Sequence, residues 1–330
     1  MLDSVVTALG PEFPQYLLAG LATGMLYALI ALGYTMVYGI IELINFAHGD
    51  LFMLGSFFAL QLAIWVGAAN EKGEVIPGLG TGELAGAVLL MLFGAALFCA
   101  VLNVAIDRSV YKSLRSAPKL APLVSAIGVS FILMNLGVFW MGTYDKNFPE
   151  LVSAKDNLTP GLQFTVESVT FAVKVTYQHV LVFAITLPVM VALTVFVRYT
   201  SMGKAMRATA QNPTAARLMG INVDRVIAVT FAIGGALAGV AAVVYGLTVN
   251  TVGYQIGFQS GLFAFTAAVL GGIGNIPGAV LGGILIGLLE KLGTGYLGDS
   301  WRQPLVFAVL IVVLVFRPNG LLGARTREKV

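Results

Sequence analysis

A short polar segment between two long apolar runs carries the residue types best suited to chemistry. Asn45, His48 and Asp50 supply an amide, an imidazole and a carboxylate, and no Lys or Arg occurs before Lys72. Polar groups at membrane depth are costly, and they usually line a cavity or pair with one another. We therefore interpret the segment as the break in a broken helix pair, with Asn45, His48 and Asp50 facing a passage between helices. The alternative is a cytoplasmic turn in which Asp50 caps the next helix.

A second break interrupts a long apolar run near the end of the chain. Glycine lets the backbone bend without a Cβ penalty, and Pro277 prevents a helix from continuing through the turn. One interrupted apolar segment early and one late are typical of a transport pathway. The residues assigned to the pathway here are Gly271, Gly272, Gly274, Asn275 and Pro277. The alternative is close helix packing, served by the pairs Gly278/Gly282 and Gly283/Gly287.

The stretch 201–224 contains signals for a short capped helix. Asn212 is a good cap, Pro213 suits the first helical position, and Gly220 suits the position just past the end. They predict a helix at about 213–219 that follows a basic one. A helix this short is marginal alone, so we expect it to dock on a peripheral protein; the alternative is an ordinary solvated loop. The docking residues are predicted to be Arg207, Asn212, Pro213, Arg217 and Gly220.

The composition indicates which elements must position these residues. Of 330 residues, 58% are hydrophobic and 11% are charged, and the formal net charge is +3. Globular proteins have roughly 45–50% apolar and about 25% charged residues, so this chain lacks the polar surface of a soluble protein. The composition also excludes a disordered protein, a nucleic-acid binder and, with one Cys, a disulfide scaffold. The 39 glycines indicate tightly packed or broken membrane helices.

Long apolar runs without the alternation of barrel strands predict membrane-spanning helices. The runs are 16–41, 51–69, 84–106, 120–142, 179–197, 226–248, 256–289 and 303–316. We therefore predict an all-α, polytopic integral membrane protein with about eight hydrophobic segments. Residues 1–330 form one transmembrane domain, with a cytoplasmic loop at 199–225 and an outer loop at 143–178.

Basic residues predict the orientation of the chain. The strips 107–119, 198–225 and 317–330 hold 13 of the 19 Lys and Arg residues, so we place them in the cytoplasm. Segment 256–289 must then enter and leave on the same side, either as a re-entrant hairpin or as two short helices. The N-terminus is then predicted to lie outside and the C-terminus in the cytoplasm.

The remaining connections are predicted to lie outside. They are 70–83, 143–178 and 290–302, and Trp65, Trp140 and Trp301 fall at outer helix ends, where indole favours the interface. The stretch 143–178 has room for a small hairpin or a surface helix.

Several kinds of site have no motif in the sequence. There is no phosphate-binding loop, no Cys/His metal spacing and no nucleophile elbow, so we expect neither ATP hydrolysis nor a metal or cofactor. The chain is predicted not to be an enzyme. A stand-alone proton-coupled carrier would have to use Glu42, His48, Asp50 and Glu290. A membrane scaffold is a third possibility, which the two breaks disfavour.

Three blocks in order, 17–57, 207–246 and 269–290, resemble permease subunits of bacterial branched-chain amino-acid ABC importers. The resemblance covers about residues 16–323 and is greatest to the shorter of the two sister permeases. It implies a bacterial inner-membrane subunit that pairs with a second permease, two cytoplasmic ATP-binding subunits and a periplasmic substrate-binding protein. The implied cargo is Leu, Ile or Val, with other amino acids, urea or short amides as alternatives.

The resemblance also gives a role to the stretch 207–220, which matches the family's ATPase-contacting loop. The general importer signature begins with Glu-Ala-Ala, whereas this chain has Arg207-Ala208-Thr209, although Gly220 keeps its place. The stretch is therefore expected to couple ATPase movement to transport.

Overall fold

The computed structural model describes residues 10–41, 45–115, 117–118, 120–152, 158, 162–166, 169–317 and 319–323. The described helices are α1 (Phe13–Ile41), α2 (Ala47–Trp65), α3 (Thr81–Ile106), α4 (Leu120–Met141), α5 (Tyr177–Tyr199), α6 (Ser201–Gln211), α7 (Pro213–Leu218), α8 (Val223–Val249), α9 (Ile256–Gly271), α10 (Ile276–Leu297) and α11 (Arg302–Phe316). A π-helical turn (Asp107–Tyr111) and a final turn (Lys112–Leu114) extend α3, and a 3-10 turn (Asp299–Trp301) precedes α11. The strands are β1 (Lys146–Asn147), β2 (Leu162–Val166), β3 (Val169–Val173) and β4 (Thr251–Val252).

The predicted all-α membrane architecture is confirmed. Among the described residues, eight helices are long and apolar enough to cross a bilayer. The apolar run 256–289 divides into the 16-residue α9 and the 22-residue α10, with a turn between them. The prediction of a hairpin or two helices in this segment is therefore correct.

The centre of the bundle consists of helices that bury most of their length. α1, α2 and α8 have about seven tenths of their apolar windows buried, whereas α3, α4, α5 and α11 expose most of theirs. α1 and α10 run antiparallel in close contact: a Cβ at Gly283 would lie 2.6 Å from the Ala28 Cα, and a Cβ at Gly287 would collide with the Gly24 backbone. The glycines of α10 thus do provide close packing, as the alternative interpretation of this segment proposed.

One end of the bundle is formed by short strands and loops. Lys146 pairs with Val252 and Asn147 with Thr251, which holds the connection after α4 against the connection after α8. Strands β2 and β3 form an antiparallel hairpin, so of the two options predicted for the stretch 143–178 the hairpin is present among its described residues.

The opposite end of the bundle gathers charged residues from separate strips of sequence. Arg115 pairs with Asp107 at 2.7 Å and with Asp224 at 2.6 Å, and Lys112 lies 3.5 Å from Asp224. The described parts of 107–119 and 198–225 therefore meet at one end, as the charge pattern requires. That this end faces the cytoplasm stays a prediction. Glu42, Lys119 and the basic residues after 323 lie outside the described residues.

Candidate functional site

The polar segment before α2 is buried inside the bundle. Asn45 and Asp50 are 3% exposed and His48 is 1% exposed. Helix α2 has Phe46 at its cap position, without a side-chain hydrogen bond, and Asp50 lies within the helix. The alternative in which Asp50 caps this helix is therefore wrong, because no described side chain caps it and the Asp50 carboxylate accepts a hydrogen bond from Ser130 instead.

Each of the three polar side chains meets a different neighbour. The Tyr111 hydroxyl donates a 2.7 Å hydrogen bond to the Asn45 side-chain oxygen. The Ser130 hydroxyl donates to an Asp50 carboxylate oxygen. The His48 ring packs edge-on against Tyr34, with 4.7 Å between ring centroids. The three residues thus share one short segment but contact different helices. Asn45 contacts the extension of α3, Asp50 contacts α4 and His48 contacts α1.

Asp50 and Ser130 lie in the wall of a cavity of about 270 Å³ between α2, α4 and α9, which we call the Asp50 cavity. The rest of its lining is almost entirely apolar and aromatic: Tyr34, Phe46, Ile127, Phe131, Met134, Gly257, Phe258, Gly261, Leu262 and Phe265. Within the described part of the chain, Asp50 forms no ion pair. An apolar cavity with one anionic wall can hold the ammonium group of a small molecule whose remainder is aliphatic.

The 271–278 turn lies at the end of the bundle that carries the Asp107–Arg115–Asp224 ion pairs. Gly272 has a φ of +106°, which favours glycine, and a Cβ there would lie 2.5 Å from the Gly323 nitrogen. The Asn275 side chain caps α10 by accepting from the Gly278 N–H at 3.2 Å, and its amide donates to the Leu322 carbonyl at 2.7 Å.

The other residues of the 271–278 turn also contact the same end of the bundle. Gly274 lies against Gly39 at the end of α1, Gly271 against Gly278, and Pro277 is in the first turn of α10. The contacts of the turn are thus to the end of α1 and to residues 319–323, and its residues do not line the Asp50 cavity.

The short helix α7 and its preceding helix α6 form a compact unit that we call the foot (residues 201–220). The Asn212 side chain accepts from the N–H groups of Thr214 and Ala215, both at 3.0 Å, and Gly220 has a φ of +81°. The predicted cap and helix end are therefore confirmed. The guanidinium of Arg207 donates to the Val197 carbonyl at the end of α5. This hydrogen bond holds the foot against α5 of the same subunit.

Two apolar side chains of the foot were not identified from the sequence. Leu218 is 85% exposed and Met219 is 82% exposed, next to Gly220 at the tip. Beside them, Pro213 and Arg217 line a groove of about 690 Å³ that also includes the end of α1 and the start of α4. Two adjacent large apolar residues at the end of a short capped helix, between Arg217 and Gly220, are a signal that could have been noticed.

The described residues contain no group of three or more His, Cys, Asp or Glu side chains that could hold a metal ion. Asn45 and Asp50 instead each accept a hydrogen bond from a neutral hydroxyl group, whereas both ring nitrogens of His48 are buried without a hydrogen-bond partner among the described residues.

Comparison with known proteins identifies the class of the chain. Residues 16–314 match the family described as the branched-chain amino acid transport system permease component. Over 320 residues the chain is 43% identical to the high-affinity branched-chain amino acid transport system permease protein BraD of Pseudomonas aeruginosa, covering 97% of this chain and 98% of BraD.

Two further relatives extend this similarity. The LivH permease protein of Escherichia coli K12, of the same described type, is 40% identical over 318 residues, covering 96% of this chain and 98% of LivH. A probable branched-chain amino acid transport permease protein of Methanocaldococcus jannaschii is 26% identical over 307 residues, covering 90% of this chain and 89% of that protein. Both similarities run along most of each chain. This polytopic membrane protein therefore belongs to the family of branched-chain amino acid transport permease components.

Proposed function

We propose that this chain is the permease subunit of an ATP-binding-cassette importer that carries branched-chain or related hydrophobic amino acids into the cytoplasm. The observation that carries the proposal is the full-length identity of 43% to a permease protein named for that transport. The Asp50 cavity supports the substrate class, because its apolar lining suits an aliphatic side chain and its one carboxylate suits an ammonium group.

The pathway is proposed to run past Asn45, His48 and Asp50. These side chains are buried in the middle of the bundle, where a polar group without a structural need is costly. The 271–278 turn is proposed to form the cytoplasmic border of the pathway, since it fixes the ends of α9 and α10 beside Gly39 of α1.

The foot is proposed to transmit the movement of the ATPase subunits. Exposed apolar side chains that adjoin one another mark interaction sites, and Leu218 and Met219 provide such a pair at the foot's tip. The groove bordered by Pro213 and Arg217 continues this surface to the ends of α1 and α4. The chain is proposed to lie in the bacterial inner membrane with its foot and C-terminus in the cytoplasm and its N-terminus outside.

The proposed assembly contains a second permease subunit, two cytoplasmic ATP-binding subunits and a periplasmic substrate-binding protein. The chain has no phosphate-binding loop, so the energy for transport is expected to come from such ATPases. Selectivity is expected to rest largely with the delivering protein, because the Asp50 cavity offers few polar groups.

Reconstitution of the complete assembly in liposomes tests the proposal. We expect ATP-dependent uptake of labelled leucine that unlabelled Leu, Ile and Val compete for, and that Ala and urea compete for weakly. Stronger competition by urea would indicate an amide permease instead. Leucine flux driven by a pH gradient through the purified chain alone would contradict the proposal and favour a stand-alone proton-coupled carrier that uses His48 and Asp50.

A further inference from the structure

A second buried polar cluster lies on the other side of α1 and α9 from the Asp50 cavity. Glu290 of α10 is 1% exposed, and its Oε1 lies 2.7 Å from the Nε of Arg302 at the start of α11. The Tyr27 hydroxyl donates a 2.5 Å hydrogen bond to the other carboxylate oxygen, Oε2. Arg302 also lies over the Phe263 ring, 5.4 Å from its centroid. One carboxylate thus draws together α1, α10 and α11 within the apolar bundle.

The cluster forms one wall of a cavity of about 320 Å³, which we call the Glu290–Arg302 cavity. The rest of the lining comes mainly from α1, α5 and the end of α8. It combines the apolar side chains of Ala19, Ala22, Leu26, Ile30, Val182 and Val249 with those of Thr23, His179 and Tyr245. Gln178 and Thr248 border the cavity near the end that carries strands β1 and β4, which we propose to lie outside. Its volume is within the range of small-molecule pockets, at the lower limit.

Stability is not a sufficient reason for this ion pair, although breaking the pair is expected to lower the thermal stability. Burying two charges costs about as much as their attraction returns, and apolar replacements of a buried pair are often neutral or stabilising. Within membranes, buried ionisable residues characteristically mark substrate or ion pathways. The pair also borders open space, since Glu290 and Arg302 both line the cavity and 37% of the Arg302 side chain is exposed.

The charged side chains around the cavity are opposite in sign to the two charged groups of a free amino acid. Lys291, whose Nζ lies 4.0 Å from Glu290 Oε1, adds a second cation to the same wall. A carboxylate retains acceptor capacity beyond two partners, and a guanidinium retains further N–H donors. Anionic and cationic groups therefore lie side by side in a cavity that is also lined by aliphatic side chains of α1.

We propose that the Glu290–Arg302 cavity binds a zwitterionic aliphatic α-amino acid. Glu290 receives the ammonium group, Arg302 and Lys291 receive the carboxylate, and the wall formed by α1 and α5 receives the side chain. This inference rests on the proposed function and adds to it a site near the delivery side, separate from the Asp50 cavity. Tyr27 borders the Glu290–Arg302 cavity, and Tyr34, seven residues later on α1, borders the Asp50 cavity.

Protection of an introduced cysteine tests the site without relying on transport. Cys99, the only cysteine of the chain, is fully buried, so Thr23→Cys places the one accessible thiol of this subunit in the cavity wall, and modification is measured on this subunit. In membranes containing the complete transporter, leucine is expected to slow modification of this thiol by a small reagent. The rate of modification is proportional to the fraction of sites without leucine. It should therefore fall about tenfold when the leucine concentration is ten times its Kd.

Two leucine analogues test recognition of the head group. 3-Methylbutylamine lacks the carboxylate and 4-methylpentanoate lacks the ammonium group, so neither is expected to protect at the concentration at which leucine does. Protection by neither leucine nor the analogues, or equal protection by all three, would overturn the proposal. Tyr144→Cys, at an 84% exposed position that lines neither cavity, is the matched control, and leucine is not expected to slow its modification.

Variants of the pair separate ligand binding from structural support. In the Thr23→Cys background, Glu290→Gln and Arg302→Gln are each expected to abolish protection by leucine. The swapped variant Glu290→Arg/Arg302→Glu keeps an ion pair but inverts the polarity, so its thermal stability is expected to recover while protection stays lost. If the swapped variant recovers protection as well, the head-group assignment is wrong.

ATP-dependent leucine uptake is measured in the same membranes. Normal uptake without protection would reject the Glu290–Arg302 cavity and keep the proposed function. Protection without ATP-dependent uptake would reject the proposed function and keep an amino-acid site.

Discussion

The hydroxyl of Tyr111 and the side-chain oxygen of Asn45 lie 2.7 Å apart and form a buried hydrogen bond between segments 66 residues apart in sequence. Tyr111 ends the π-helical turn after α3, and Arg115, one turn further on, binds Asp224 in the first turn of α8. Asp224 lies four residues after the end of the foot. The bond therefore completes a continuous set of contacts from the proposed ATPase surface to the break before α2.

Removal of this hydroxyl is expected to weaken that connection. Tyr111→Phe leaves the Asn45 side chain buried without its donor, which costs about 1–3 kcal/mol. We expect lower thermal stability and fewer leucine molecules imported per ATP hydrolysed, measured in proteoliposomes of the complete assembly. Tyr144→Phe, at an 84% exposed tyrosine, is the matched control and should change neither quantity. An unchanged transport ratio in Tyr111→Phe would rule out this route of coupling.

The exposed tip of the foot is expected to be needed for coupling but not for folding. Leu218→Asp places a charge on a side chain that contacts little of its own subunit, so the thermal stability should change by no more than about 0.5 kcal/mol. Binding of the ATPase subunits should weaken, because an apolar contact would then bury an unpaired charge. Co-purification of the ATPase with the permease measures this directly.

The same change elsewhere on the surface serves as the comparison for the foot. Ile76→Asp alters an exposed apolar side chain in the connection between α2 and α3. Co-purification should be normal in this variant. Equal retention of the ATPase by Leu218→Asp and Ile76→Asp would show that the tip does not dock.

The cap of α7 can be tested by two substitutions at one position. Asn212→Ala removes the acceptor for the N–H groups of Thr214 and Ala215 and should destabilise the short helix by about 1 kcal/mol. Asn212→Asp keeps an acceptor and should preserve the helix. Amide hydrogen exchange over residues 213–218 should quicken in the first variant only, with a parallel loss of uptake. If Asn212→Ala transports normally, an ordered α7 is not needed for coupling.

Local signals were sufficient to predict the helices and several of their ends, although α2 begins at Ala47 and therefore contains His48 and Asp50, which the prediction placed in the break. The apolar runs, Asn212 as a cap, Gly220 past the helix end and the break before Pro277 each depend on residues close in sequence, and the structure has all of them. Pairs of distant residues could not be predicted in this way. The helices are apolar on nearly all faces, so the sequence pattern does not show which side of α4 faces α2.

The Asp50–Ser130 contact illustrates this limit, since the two residues are 80 positions apart and Ser130 is one of several hydroxyls on apolar helices. The partners of Glu290 illustrate it again: Tyr27 is 263 positions away, and only the close packing of α1 on α10 brings the two together. Identification of these partners requires the tertiary packing.

Neutralising Asp50 is expected to weaken substrate recognition while the cavity keeps its shape. A hydrogen bond to a charged group contributes about 1.5–3 kcal/mol, so Asp50→Asn should raise the KM for leucine about tenfold to a hundredfold. Ser130→Ala removes only a neutral donor and should have a smaller effect, about fivefold for 1 kcal/mol. Uptake kinetics in liposomes with the complete assembly measure both. An unaltered KM in Asp50→Asn would remove Asp50 from the pathway.

Gly33 and His48 provide a test that separates packing from transport. A Cβ at Gly33 would collide with the imidazole of His48, so Gly33→Ala should displace the ring and destabilise the protein by about 1–3 kcal/mol. The double variant Gly33→Ala/His48→Ala removes the collision and should regain most of the thermal stability. Transport is expected to stay low in the double variant, because the passage has then lost its imidazole. Gly128→Ala on α4, where a Cβ would meet nothing within 4 Å, is the matched control and should be neutral or slightly stabilising. If uptake recovers together with stability in the double variant, His48 is a packing residue and the pathway does not depend on it.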